Sequence, residues 1–156
     1  MEIRKQTQYK ITFLAFYQII GGIIGLFYCV YSLFSLSLNL GSLLVITIIS
    51  IFYSFSIFCG YLVYNKKDKR SLKLSSINQL LQIISFSIAG FGFKYVSGVV
   101  LSIGVNYTED FLFVSNFSIS NFLLNFNNDK QVLELQINLV AVLVVVLIDK
   151  LKTEKV

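Results

Sequence analysis

Residues 76–105 read SINQLLQIISFSIAGFGFKYVSGVVLSIGV, and Lys94 is the one charged residue among them. At about 1.5 Å per residue, such a run is long enough for a hydrocarbon core of about 30 Å. Ser76 and Gln79 have the spacing of a capping box, in which a hydroxyl and an amide satisfy the first free N–H groups of a helix. The expectation is a membrane-spanning helix over 77–105 that starts near Ile77, breaks near Lys94 and resumes at Tyr95. Asn78, Gln82, Ser85, Ala89 and Gly92 follow one another at intervals of four, three, four and three, which puts a mildly polar seam on one helical face.

Two more uncharged stretches precede this one. Residues 11–34 and 41–64 are each 24 residues long, and Asn39, Leu40 and Gly41 supply a tight turn between them. The first run exceeds the 7 to 15 residues or so of a signal-peptide h-region and ends without a small-x-small cleavage site. It carries Gln18, Gly21 and Gly25 on one face, the two glycines forming a G-x-x-x-G that permits close backbone approach. The second carries Thr47, Ser50 and Ser54 in the same manner. A fourth span over 135–151 is built on the aliphatic run from Leu139 to Ile148.

These spans predict an all-α integral membrane protein, a single domain over 1–156 with four transmembrane helices in an up-down bundle. Composition agrees with a membrane setting: 56% of residues are hydrophobic and 13% charged, with a mean hydropathy of +0.76, whereas soluble domains carry about 25% charge. Basic residues sort by segment. Eleven lie at Arg4, Lys5 and Lys10, at Lys66, Lys67, Lys69, Arg70 and Lys73, and at Lys150, Lys152 and Lys155, against Lys130 alone between the third and fourth spans. The positive-inside rule then places both termini in the cytoplasm, with the bacterial cytoplasmic membrane as the expected location. The net charge of +5 follows from this topology and calls for no nucleic-acid partner. The cluster at 66–73 is suited to contact with lipid headgroups or a partner protein.

The outer segment 106–134 alternates Phe111, Phe113 and Phe117 with smaller or polar residues, and Asn127-Asn128-Asp129-Lys130 is a strong turn signal. A small β-hairpin outside the membrane, or an irregular cap, is expected, with the three phenylalanines as a partner surface. Lys94 reads as an intramembrane charge near the outer face, within snorkelling reach of water. Cys29 and Cys59 fall at opposite ends of antiparallel helices and are not expected to pair.

With no His, no Walker motif, no G-x-S-x-G and no metal-ligand cluster, the sequence advertises neither enzyme chemistry nor a cofactor. Two functions remain: a non-enzymatic accessory, assembly or binding subunit of a membrane complex, or an oligomeric pore or small transporter, including a membrane-acting effector or its immunity protein. The expected partners are membrane lipid and other membrane subunits, or further copies of the chain.

Overall fold

The computed structural model describes residues 2–35, 39–107, 110–126 and 133–154. Two long helices, α1 (Glu2–Ser35) and α2 (Leu40–Lys66), form an antiparallel hairpin, and Gln6–Phe34 and Leu40–Lys66 are long and apolar enough to cross a membrane. Asn39 caps α2 reciprocally: its Oδ1 accepts from Ser42 N at 2.8 Å, and its own N–H donates to Ser42 Oγ at 3.0 Å. The helices meet through glycine. A Cβ added at Gly60 would stand 2.6 Å from the Ala15 carbonyl oxygen, and one at Gly22 would stand 2.8 Å from that of Tyr53.

Beyond α2 the chain departs from the expected bundle. Lys67 adopts the left-handed conformation (φ 49°, ψ 33°), and Asp68 caps α3 (Lys69–Leu80) by accepting from Ser71 N at 2.8 Å. The helix thus begins before the Ser76–Gln79 pair, which lies within it, and ends at Leu80, just past Ile77, where the third span was expected to start. At 12 residues, about 18 Å, it is too short to span. The period then changes from helical to two. Strands β1 (Ile84–Ile88) and β2 (Phe91–Tyr107) are joined by Ala89 and Gly90, both at positive φ (52° and 87°), as a two-residue hairpin turn requires. Strand β3 (Phe111–Phe126) returns along the whole of β2, and β4 (Leu133–Asn138) leads into α4 (Leu139–Glu154).

The all-α four-helix bundle is therefore corrected to four helices with a four-stranded antiparallel sheet, ordered β1-β4-β2-β3. The expected fourth span begins in strand, over 135–138, and its helix has 16 residues, about 24 Å, against a core of about 30 Å. A hairpin exists near the expected place, but it joins β2 to β3; β3 and β4 are not neighbours. The turn signal at 127–130 lies outside the described residues.

The pairings force a bend in β2. Strand β1 is antiparallel to the start of β2 (Phe86↔Phe93) and to β4 (Phe86↔Leu135), while β4 is antiparallel to the end of β2 (Ile103↔Ile137). Three straight strands cannot all be mutually antiparallel, so the two ends of β2 run in opposed directions and β1, β2 and β4 curl round on one another. The turning point is the bulge between Val96 and Val99, with Gly98 at φ 112°, facing Ser120 at φ 40° on β3.

The curled sheet rests on the helical hairpin at this corner. A Cβ on Gly21 would lie 2.5 Å from Gly98 N and 2.7 Å from Ser97 C, so only glycine admits the corner to the middle of α1. At the other end, Ile11, Leu14, Ala15, Val63, Leu72, Val144, Ile148 and Leu151 form one apolar cluster drawn from all four helices. Lys10 Nζ bridges to Glu154 Oε1 at 3.0 Å there, joining the start of α1 to the end of α4. Lys10, the 66–73 segment and Lys150 and Lys152 consequently gather at this end of the molecule.

Candidate functional site

Where α1, α2, α3 and the corner of the sheet converge, the interior is polar. Ser56 on α2 is its centre: its hydroxyl donates to Gln18 O at 3.1 Å and accepts from Asn78 Nδ2 at 3.1 Å and Ser97 Oγ at 2.8 Å, which uses all its hydrogen-bonding capacity. Gln18 Nε2 donates to Ser75 Oγ, and the Tyr95 hydroxyl lies 2.9 Å from Phe52 O and 3.1 Å from Asn78 Oδ1. Gln82 receives Ser97 N at 2.9 Å on Oε1 and donates to Asn78 O at 3.1 Å. Ser120 closes the corner by donating to Gly21 O at 2.9 Å and accepting from Gly98 N at 3.0 Å. Such a network locks elements together.

Above this junction a cavity of about 670 Å³ opens between the upper halves of α1 and α2 and residues 119–124 of β3. Its wall is mainly aliphatic and aromatic, with Val45, Ile46, Ile49, Tyr53 and Phe122, and its polar lining consists of uncharged groups such as Tyr28, Ser32 and Ser42. The volume falls within the range of ligand sites, and the lining suits a neutral apolar molecule.

The sheet has an unusual polarity. Register places Ser85, Ser87, Ser102, Asn116, Glu134 and Gln136 on one face, turned into the curl, where Ser87, Ser102 and Gln136 are buried. Ser102 Oγ donates to Gln136 Oε1 at 2.6 Å, and Gln136 Nε2 donates to Glu134 Oε1. Lys94 and Glu134 line a cavity of about 280 Å³ on this face with Asn116 and Asn121. The opposite face carries Ile84, Leu101, Ile103, Phe111, Phe113, Phe117, Leu135 and Ile137, all exposed, Phe113 at 87%. In this part of the sheet polar side chains are inside and apolar ones outside, whereas near the corner Tyr95, Val96 and Val100 are buried.

The seam residues inferred from sequence meet different fates. Gln18, Gly21 and Gln82 all reach the junction, and a Cβ on Gly25 would run into the Tyr53 ring, at 2.1 Å from Cε1. Thr47 and Ser54 are exposed; Ser50 is half-buried. Ser85, Ala89 and Gly92 belong to β1, the β1–β2 turn and β2, and do not form a helical seam with Gln82. Lys94 stands on a strand, so the helical depth argument does not apply to it. Lys66, Lys69, Arg70 and Lys73 are exposed around the α2–α3 reversal and Lys67 is half-exposed. Cys29 and Cys59 are free and buried. Sequence reasoning missed Ser56, Ser97, Ser120 and Tyr95. The alternation of 84–88 and the glycines at 92, 98 and 104 were the available signals for strands.

These features define a helical hairpin bearing an inside-out curled sheet. No protein-family model, no curated protein and no solved structure matches the chain.

Proposed function

We propose that the chain is a small membrane-embedded binding subunit, acting through its surfaces and without catalysis. The observation that carries this reading is the polarity of the sheet. An exposed apolar face over a buried polar one is the arrangement of strands that face lipid or apolar protein, opposite to that of strands in water. The helices extend the same surface: Phe13, Ile20, Ile23 and Phe27 on α1, and Leu44, Ile51 and Phe58 on α2, are all exposed. Exposed apolar area on this scale marks an interaction or membrane surface. The basic end faces the cytoplasm with both termini, and its lysines hold anionic headgroups at about 1 kcal/mol each. The polar junction supports binding over chemistry, because the Ser56 hydroxyl already has its full set of protein partners.

Alkaline washing of membranes tests the reading directly. The protein should stay in the pellet, and Lys69→Cys should react with an impermeant thiol reagent only after the cells are opened. Recovery as a soluble monomer, or rapid labelling of Lys69→Cys in intact cells, would refute it. A second reading, an oligomeric conduction path, draws on the polar cavity beside Lys94 and Glu134. It predicts single-channel currents in planar bilayers, altered in Lys94→Glu.

A further inference from the structure

Among the described residues strand β3 pairs with β2 alone, so its other edge has no strand partner there for its N–H and C=O groups. Residues 119–124 of β3 line the cavity against the helical hairpin, whereas 111–118 do not, and Phe111, Leu112, Phe113 and Phe117 among them are exposed. Soluble proteins guard such an edge with charge, proline or brevity. Here all 16 residues of β3 lack Asp, Glu, Lys, Arg and Pro. In apolar surroundings the need is sharper, because lipid cannot accept or donate the hydrogen bonds, and each unsatisfied group costs several kcal/mol.

We propose that a second copy of this chain covers the edge, pairing residues 111–118 of β3 antiparallel with the same residues across a two-fold axis. This deepens the membrane reading above and rests on it. Three observations select a second copy. Lipid satisfies no backbone group. The longest stretch outside the described residues, 127–132, is shorter than the edge and has to join Phe126 to Leu133. The strand is also self-compatible: it opposes no like charges, and antiparallel neighbours related by a two-fold axis normal to the sheet keep their faces matched. Phe111, Phe113 and Phe117 of both copies then lie on one apolar face, and Leu112, Val114 and Asn116 on the other. The axis must pass through a residue, and Val114 and Ser115 are the central choices.

Single cysteines at Phe113, Val114, Ser115 and Phe117 test the proposal in native membranes, with oxidative cross-linking read on non-reducing gels. Ile23→Cys on α1, Leu143→Cys on α4 and the unsubstituted chain, whose own cysteines are buried, serve as references. A homodimer band with one sharp maximum at Val114→Cys or Ser115→Cys, at least tenfold over the references, is expected. Equal bands at β3 and reference positions, a heavier adduct with another protein, or thiols that react with maleimide and form no dimer would each overturn it. Liposome flotation separates the two readings: a dimer that fails to float refutes the membrane and keeps the pairing, while a floating monomer refutes the pairing alone. Phe113→Lys, measured for dimer and for thermal unfolding together, should abolish the dimer with the fold retained. A persistent dimer would again overturn the pairing.

Discussion

The two ends of the molecule bury opposite things. At the basic end, Leu14, Val63, Leu72 and Ile148 turn inward and Lys66, Lys69, Arg70 and Lys73 turn outward, the arrangement water imposes on any packed domain. At the sheet end, Ser87, Ser102 and Gln136 turn inward while Phe113 and Phe117 turn outward. Under the membrane reading proposed above, the contrast corresponds to two media, and Gly21, Gly98 and Ser120 form the joint between the two ends. Substitutions can break this comparison or sharpen it.

The largest effect is expected at the joint itself. In Gly21→Leu the new side chain meets backbone atoms of Ser97 and Gly98, which have no rotamer by which to move aside. Overpacking against side chains costs about 1 to 3 kcal/mol, and a backbone clash belongs at or above the top of that range. Thermal unfolding in mild detergent should show Gly21→Leu severely destabilised or unfolded and Ile24→Leu close to the parent. Equal stability of the two would separate sheet from hairpin and dissolve the joint.

Next comes the polar junction. Ser56→Ala strands Asn78 Nδ2 and Ser97 Oγ, at about 1 to 3 kcal/mol for buried groups that lose a partner. Ser54→Ala, two residues away on an exposed position, should stay within about 0.5 kcal/mol. The same melts decide it, and equal losses would mean that the network does not hold the two ends together.

The outward face of the sheet should respond in the opposite sense. Phe113→Asn with Phe117→Asn removes apolar surface that the monomer leaves exposed, 87% and 70% respectively, so detergent stability should change by less than about 0.5 kcal/mol. Flotation with liposomes should fall clearly. A large stability loss with unchanged flotation would show that this face packs within the protein, and the contrast between the ends would collapse.

These particulars also explain how far the sequence could be read. The helical hairpin was legible because two long uncharged runs with a turn signal at Asn39, Leu40 and Gly41 between them are local features; Gln18, Gly21 and Gly25 stand against Ser75, Gly98 and Tyr53. The sheet was not. In an ordinary half-buried strand, charged residues mark the exposed face, but here the inward face uses mainly Ser, Gly and Asn, leaving 76–105 nearly as apolar as a spanning helix, with Lys94 its one charge. Asn78, Gln82 and Ser85 kept a helical interval across the point where helix passes into strand, while Ser85 and Ser87 also kept the strand interval that prevailed. Ser56, Ser97 and Ser120 lie far apart in sequence, and only the bend in β2 brings them together.

The last comparison is between two lysines. Lys10 meets Glu154 at 3.0 Å on the exposed surface of the basic end, where solvent screening leaves such a pair contributing little. Lys94 shares the cavity inside the curl with Glu134, Asn116 and Asn121. Replacing it with glutamine removes the cost of keeping a charge partly away from water and leaves a polar group against Asn116 and Asn121. The side chain is only half-buried, so the gain stays small. Lys94→Gln should therefore melt at or slightly above the parent in mild detergent. A variant that melts well below the parent would mean that Glu134 holds the ammonium as a working pair, and the sheet interior would then depend on charge, unlike the basic end.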